Sequence, residues 1–140
     1  MSDSLYILFI DGNEQERRYY VQRLLTSSPD FVVIEAASGH FALDLCEGCS
    51  MDCVVLELDL PDMSGFEVLI KLVPFVRFPD LPVVVLTRLT NLDLHELALV
   101  NGAQAAFHKP HTSADLLERS IRKAVATVRK DHKRNDDVWL

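Results

Sequence analysis

Five short apolar runs punctuate the chain, at residues 5–10, 31–34, 53–56, 81–86 and 105–107. Their length and their Val, Ile and Phe content predict strands, and because they are almost continuously apolar rather than alternating, strands covered on both faces. Between them, residues 14–26, 39–46, 65–76, 92–101 and 113–129 carry helical periodicity. Local chemistry supports these boundaries: Ser64 and Asn91 stand where N-caps belong, Thr112 and Asp115 have capping-box spacing, and Gly102 supplies a helix stop. Strand and helix alternate five times. That order predicts an α/β fold, a doubly wound five-stranded parallel sheet with right-handed crossovers and helices on both faces.

The 140 residues suit one domain, and 49% hydrophobic with 25% charged residues is the balance of a packed core, not of a disordered chain. We expect the domain over residues 1–129, followed by a polar tail or linker over 130–140. A net charge of −7 disfavours nucleic acid as a partner, and the basic group Arg129, Lys130, Lys133 and Arg134 reads as a solvated helix end. No apolar stretch is long enough to span a bilayer and no basic segment precedes the first run, so the expected location is cytoplasmic, with no membrane partner. Cys46, Cys49 and Cys53 lack a fourth ligand at metal-site spacing and read as buried reduced thiols. His108 and His111 read as surface or packing residues, and Phe66, Phe75, Phe78 and Phe107 as core residues rather than a base-stacking platform.

Doubly wound sheets carry their sites at the carboxyl ends of the strands, which singles out Asp11, Glu57, Thr87 and Lys109. No Gly-rich phosphate loop, nucleophile elbow or metal triad accompanies them, so the chain is not expected to be an enzyme.

The segments ILFIDG, VVLELDLPDMSG, LPVVVLT and NGAQAAFHKP, in this order over roughly residues 5–128, resemble the receiver domain of two-component response regulators, including the single-domain chemotaxis type. The resemblance implies the flavodoxin-like (βα)5 fold, an acidic pair after the first strand, an aspartate phosphoacceptor after the third, a Thr or Ser after the fourth and Lys-Pro after the fifth. In that family the acceptor stands four residues before a Pro and eight before a Gly. Counting back from Pro61 and from Gly65 lands twice on Glu57. Asp59 sits two residues too close to both anchors and is the lesser candidate. Thr87 matches the hydroxyl that binds the phosphoryl oxygen, and Lys109 the ammonium that pairs with the acceptor. The resemblance also implies a cis Lys109–Pro110 peptide that aims the lysine into the pocket.

The chain departs from the family where the chemistry is done. Glu57 keeps the carboxylate but carries one more methylene, which displaces the nucleophile by more than an ångström in a reaction that depends on in-line placement. Asp11 matches the first member of the acidic pair while Gly12 replaces the second, leaving Asp11, Glu57 and the Asp59 carbonyl as at most a weak magnesium site and no firm cofactor. Ala106 stands where an aromatic rotameric reporter is usual, and Arg88 where a small residue leaves the site open; its cation is placed to cover the pocket or pair with Glu57. Leu97 and Val100, three apart on the fourth helix, occupy positions that are often polar in receivers and form a candidate contact patch.

The leading expectation is an atypical receiver acting as a phosphorylation-independent or weakly phosphorylatable interaction module. Its expected partners are a histidine kinase, another receiver or an output protein, with a homodimer through helix 4, strand 5 and helix 5 as one form. The alternative is a conventional phosphoacceptor using Glu57 or Asp59. An α/β enzyme lacks its motifs, and a DNA-binding regulator needs an output domain beyond residue 130.

Overall fold

A computed structural model describes residues 3–76 and 79–138, with residues 131–138 described by their backbone alone. Phe78 lies outside the described residues, as do the side chains of Lys133 and Arg134. The strands are β1 (Leu5–Ile10), β2 (Phe31–Ala36), β3 (Cys53–Leu56), β4 (Val83–Thr87) and β5 (Ala105–His108). They alternate with helices α1 (Glu14–Ser27), α2 (Gly39–Gly48), α3 (Gly65–Leu72), α4 (Leu92–Val100) and α5 (Ala114–Val138). The sheet order is β2-β1-β3-β4-β5 with every pair parallel, so this is the expected flavodoxin-like, doubly wound fold.

Strand periodicity explains why the runs look continuously apolar. In β1, Ile7 and Phe9 point to one face, where they pack with Val21 and Leu24 of α1 and Leu117 and Ile121 of α5. Leu8 and Ile10 point to the other, against Ala42 of α2, Val68 and Leu69 of α3 and Ala98 of α4. Both faces are sealed, so neither set of alternate residues is free to be polar. Among the described residues no helix is long and apolar enough to cross a membrane.

Helix ends differ from expectation in three places. The stretch predicted over 65–76 stops at Leu72, because Pro74 excludes a helical residue before it. Phe75 therefore lies beyond the helix and is 71% exposed, not in the core. Ser113, not Thr112, caps α5: its Oγ accepts from the Leu116 N–H, while the Thr112 hydroxyl donates to the His108 carbonyl. Helix α5 runs to Val138 instead of ending at 129, since residues 114–138 contain no Gly or Pro to stop it. Of the three free thiols only Cys53 is buried, and its burial pushes it up to about 12; Cys46 is half-buried and Cys49 exposed.

One glycine ties the fold to the strand ends. A Cβ on Gly65 would stand 2.5 Å from Leu58 Cα and 2.6 Å from the Glu57 carbonyl oxygen, both backbone atoms that cannot swing aside. Gly65 lets the first turn of α3 lie directly on the chain that leaves β3. Gly65→Ala is expected to destabilise the domain by about 1–3 kcal/mol in urea unfolding. Gly48→Ala, at a helical position with nothing within 4 Å, is expected to be neutral or to stabilise by up to about 1 kcal/mol. Equal midpoints for the two variants would contradict this packing.

Candidate functional site

Reversal of the strand order between β1 and β3 opens a crevice at the carboxyl ends of the strands, and four buried polar residues gather around it. Asp11, Glu57, Thr87 and Lys109 are exposed by only 1%, 2%, 0% and 6%. They stand at the ends of β1, β3, β4 and β5 respectively; Asp11, Glu57 and Lys109 line a cleft of about 430 Å³ whose rim includes Asn13, Glu16, Pro61 and Arg88, and Thr87 lies beneath it, bonded to Glu57. The four strand-end residues named from the sequence thus come together in one bonded cluster, three of them lining the cleft.

Glu57 is the hub of that pocket. Its Oε2 accepts from the Thr87 hydroxyl and from the Asp59 N–H at 3.1 Å, and its Oε1 accepts from the Arg88 N–H at 3.1 Å while lying 2.9 Å from Lys109 Nζ. Both oxygens of a buried carboxylate are therefore occupied by donors from three loops. The extra methylene of glutamate reaches these donors without any intervening group.

Lys109 balances the charge. Its Nζ donates to Glu16 Oε2 at 2.5 Å and makes ion-pair contacts with Asp11 Oδ2 at 2.6 Å and Glu57 Oε1 at 2.9 Å. Burial alone would depress this lysine, but its carboxylate contacts carry it above the ordinary lysine range. For Asp11, burial outweighs the lysine and pushes the carboxyl up. The Tyr20 hydroxyl, 2.8 Å from both the Lys109 and Thr112 carbonyls, holds the backbone that presents the lysine.

Glu16 has no counterpart among the residues singled out from the sequence, although a signal for it exists. Asn13 caps α1 by accepting from the Glu16 N–H at 3.0 Å, which puts Glu16 at the third helical position of a capping-box spacing. The reciprocal bond is not made, because the Asn13 N–H goes to Asp11 Oδ1 at 2.9 Å. Glu16 is left to reach the lysine.

Magnesium needs oxygens at about 2.0–2.1 Å in near-octahedral order. Asp11, Glu16 and Glu57 bring ligand atoms within 4.8 Å of one another. The Lys109 ammonium already stands against all three carboxylates, and Gly12 has no side-chain oxygen to add. A side chain at Gly12 would begin 2.8 Å from Pro61 Cδ. As arranged, the residues do not fit the ion.

The rim is stitched from neighbouring loops. Arg88 pairs with Asp59, its Nε donating to Oδ2 at 2.8 Å, so its cation covers the cleft through Asp59 and only its backbone N–H meets Glu57. Asp62 accepts from the His40 and Gly39 N–H groups at the start of α2, which hold its carboxyl below the usual range. The Lys109–Pro110 peptide, expected cis, is trans: Lys109–His111 form a short 3-10 turn closed by the Thr112 N–H on the Lys109 carbonyl, and Pro110 fits its opening without isomerising. Ala106 sits beside Val85 in the sheet and leaves no aromatic there, while Leu97 and Val100 lie exposed on α4, away from the pocket.

Known proteins share this fold and family. Residues 7–121 match the family described as Response regulator receiver domain. The chain is 36% identical over 101 residues to the regulatory protein LuxO of Vibrio cholerae, covering 72% of this chain and 21% of LuxO. It is 24% identical over 123 residues to the two-component response regulator ARR6 of Arabidopsis thaliana, covering 81% and 66%. Against the hybrid signal transduction histidine kinase D of Dictyostelium discoideum it is 25% identical over 115 residues, 82% of this chain but 7% of the kinase. The chain spans only part of each relative. A CheY-like receiver domain protein from Methanospirillum hungatei JF-1 superposes with a TM-score of 0.77 at 26% identity, covering 92% and 99% of the two chains. Chemotaxis protein CheY4 of Vibrio cholerae does so at 0.74 and 21% identity, covering 86% and 98%, and shows the shared fold. A family match over residues 7–121, together with the fold shared with a solved receiver domain, means that this protein belongs to the response regulator receiver domain family.

Proposed function

We propose that this receiver is a protein-interaction module of a two-component pathway that works without phosphoryl transfer, its pocket held in one state by Glu57. The observation that carries the reading is the occupation of Glu57: four donors, the Thr87 hydroxyl, the Lys109 ammonium and the N–H groups of Asp59 and Arg88, are spent on its carboxylate. A nucleophilic carboxylate needs one oxygen free for in-line approach, and the group it receives needs donors of its own. Here neither oxygen is free and the donors are taken. Asp59, the lesser candidate, is engaged by Arg88.

The same contacts lead from the pocket toward a surface. Thr87 Oγ1, fixed by Glu57, accepts from the Leu89 N–H at 3.2 Å, and the Leu89 carbonyl lies 2.9 Å from His95 Nε2 on the buried side of α4. That helix exposes Leu92, Leu97, Leu99 and Val100, four large apolar residues on nine. So dense an apolar surface favours a contact face over scattered exposure. The proposed partners are a histidine kinase, another receiver, an output protein or a second copy of this chain meeting through α4, β5 and α5.

Intact mass after incubation with magnesium and acetyl phosphate tests the reading. No phosphoryl adduct is expected. An adduct lost in Glu57→Gln would instead make this a working receiver with a glutamate acceptor, and one lost only in Asp59→Asn would move the acceptor to Asp59. Replacing both Leu97 and Val100 by Glu is expected to weaken partner capture or self-association while leaving the circular dichroism melt within about 0.5 kcal/mol of the natural chain. Unchanged association by light scattering and pull-down would remove this face from the proposal.

A further inference from the structure

The ammonium of Lys109 occupies the position where three carboxylates from separate elements converge. Asp11 comes from the end of β1, Glu16 from the first turn of α1 and Glu57 from the end of β3, at 2.6, 2.5 and 2.9 Å from Nζ. We propose that Lys109 is the resident cation of this cluster and that Glu16 positions it, so the protein itself compensates the pocket's charge in place of a divalent ion.

Several observations carry this beyond a collection of acids. Asp11 Oδ2 is fully buried and accepts no hydrogen bond, so its ion-pair contact with Nζ is the compensation it has. Removing the ammonium would leave a preformed, unsatisfied acceptor aimed into the cluster. Glu16 is released for the lysine by the local backbone, since the Asn13 N–H it would cap is taken by Asp11 Oδ1. The lysine cannot easily withdraw: its carbonyl is held by the Tyr20 hydroxyl and by the Thr112 N–H. Gly12 offers no competing acid, and a side chain there would press on the Pro61 ring. Glu16 thus supplies the third carboxylate from one helical turn further along the chain.

The inference is independent of whether Glu57 is ever phosphorylated, so the two readings fail by different measurements. Its test is Mn2+ binding, followed by the electron paramagnetic resonance of the free ion. The natural chain is expected to leave millimolar Mn2+ free. Lys109→Met, which uncovers the three carboxylates, is expected to bind Mn2+ at least about tenfold more tightly, and Lys109→Met/Glu16→Gln to lose that gain. Mn2+ bound by the natural chain as tightly as by Lys109→Met, or no gain in that variant, overturns the proposal.

A measurement on the natural chain keeps the test decisive if Lys109→Met does not fold. The side-chain 1H–15N signal of Lys109 is expected to be protected from solvent, unmoved by Mg2+, and at least about tenfold faster in hydrogen exchange in Glu16→Gln. Displacement of the signal by Mg2+, or unchanged exchange in Glu16→Gln, contradicts a cation held in place by Glu16.

Discussion

A carboxylate sealed from water must be given donors, and the architecture around Glu57 follows from that requirement. Desolvating an ionised carboxyl costs several kcal/mol unless charge and hydrogen bonds replace the lost water. Here the replacement comes from the loop after β3 through Asp59, from the end of β4 and the residue after it through Thr87 and Arg88, and from the end of β5 through Lys109. A single side chain therefore sets the relative positions of three loops.

Around this hub the remaining contacts are mutually dependent. Glu16 and Asp11 share the lysine with Glu57, Tyr20 holds the lysine's backbone, and Arg88 bridges to Asp59 across the mouth. The loop after β3 is further pinned by Asp62 on the first turn of α2 and by the Asp59–Ser64 bridge ahead of α3. Gly65 makes the last of these possible by allowing helix backbone to lie against strand-end backbone. The pocket is consequently a closed electrostatic unit, and its link to α4 through Thr87, Leu89 and His95 joins it to the apolar face of that helix.

Strand positions were legible because burial on both faces makes each strand an apolar run with sharp polar ends; β1 and β3 fall where the pattern put them. Helix ends were less so. Pro74 outweighed the periodicity that ran on to residue 76, and the polar composition of residues 130–138 concealed a helix that nothing interrupts. The strand-end residues were readable as a group because topology forces them together. Glu16 was not, since an acid in the first turn of a helix is equally explained by the helix dipole. Arg88 stands out in the sequence by its size, but its partner depends on the path of the loop carrying Asp59, which no local pattern encodes. The trans Lys109–Pro110 bond likewise followed from the turn in which it sits and not from the dipeptide.

On the proposed reading, a receiver whose Glu57 carboxylate is already satisfied does not respond to a phosphoryl mimic. The most direct measurement is the backbone 1H–15N spectrum with and without beryllofluoride and magnesium. Unchanged amide positions at Glu57, Asp59, Arg88 and Lys109 are predicted, since Glu57 keeps its donors. A second set of peaks at these amides would show that the carboxylate gives them up to an incoming group, and would contradict the account.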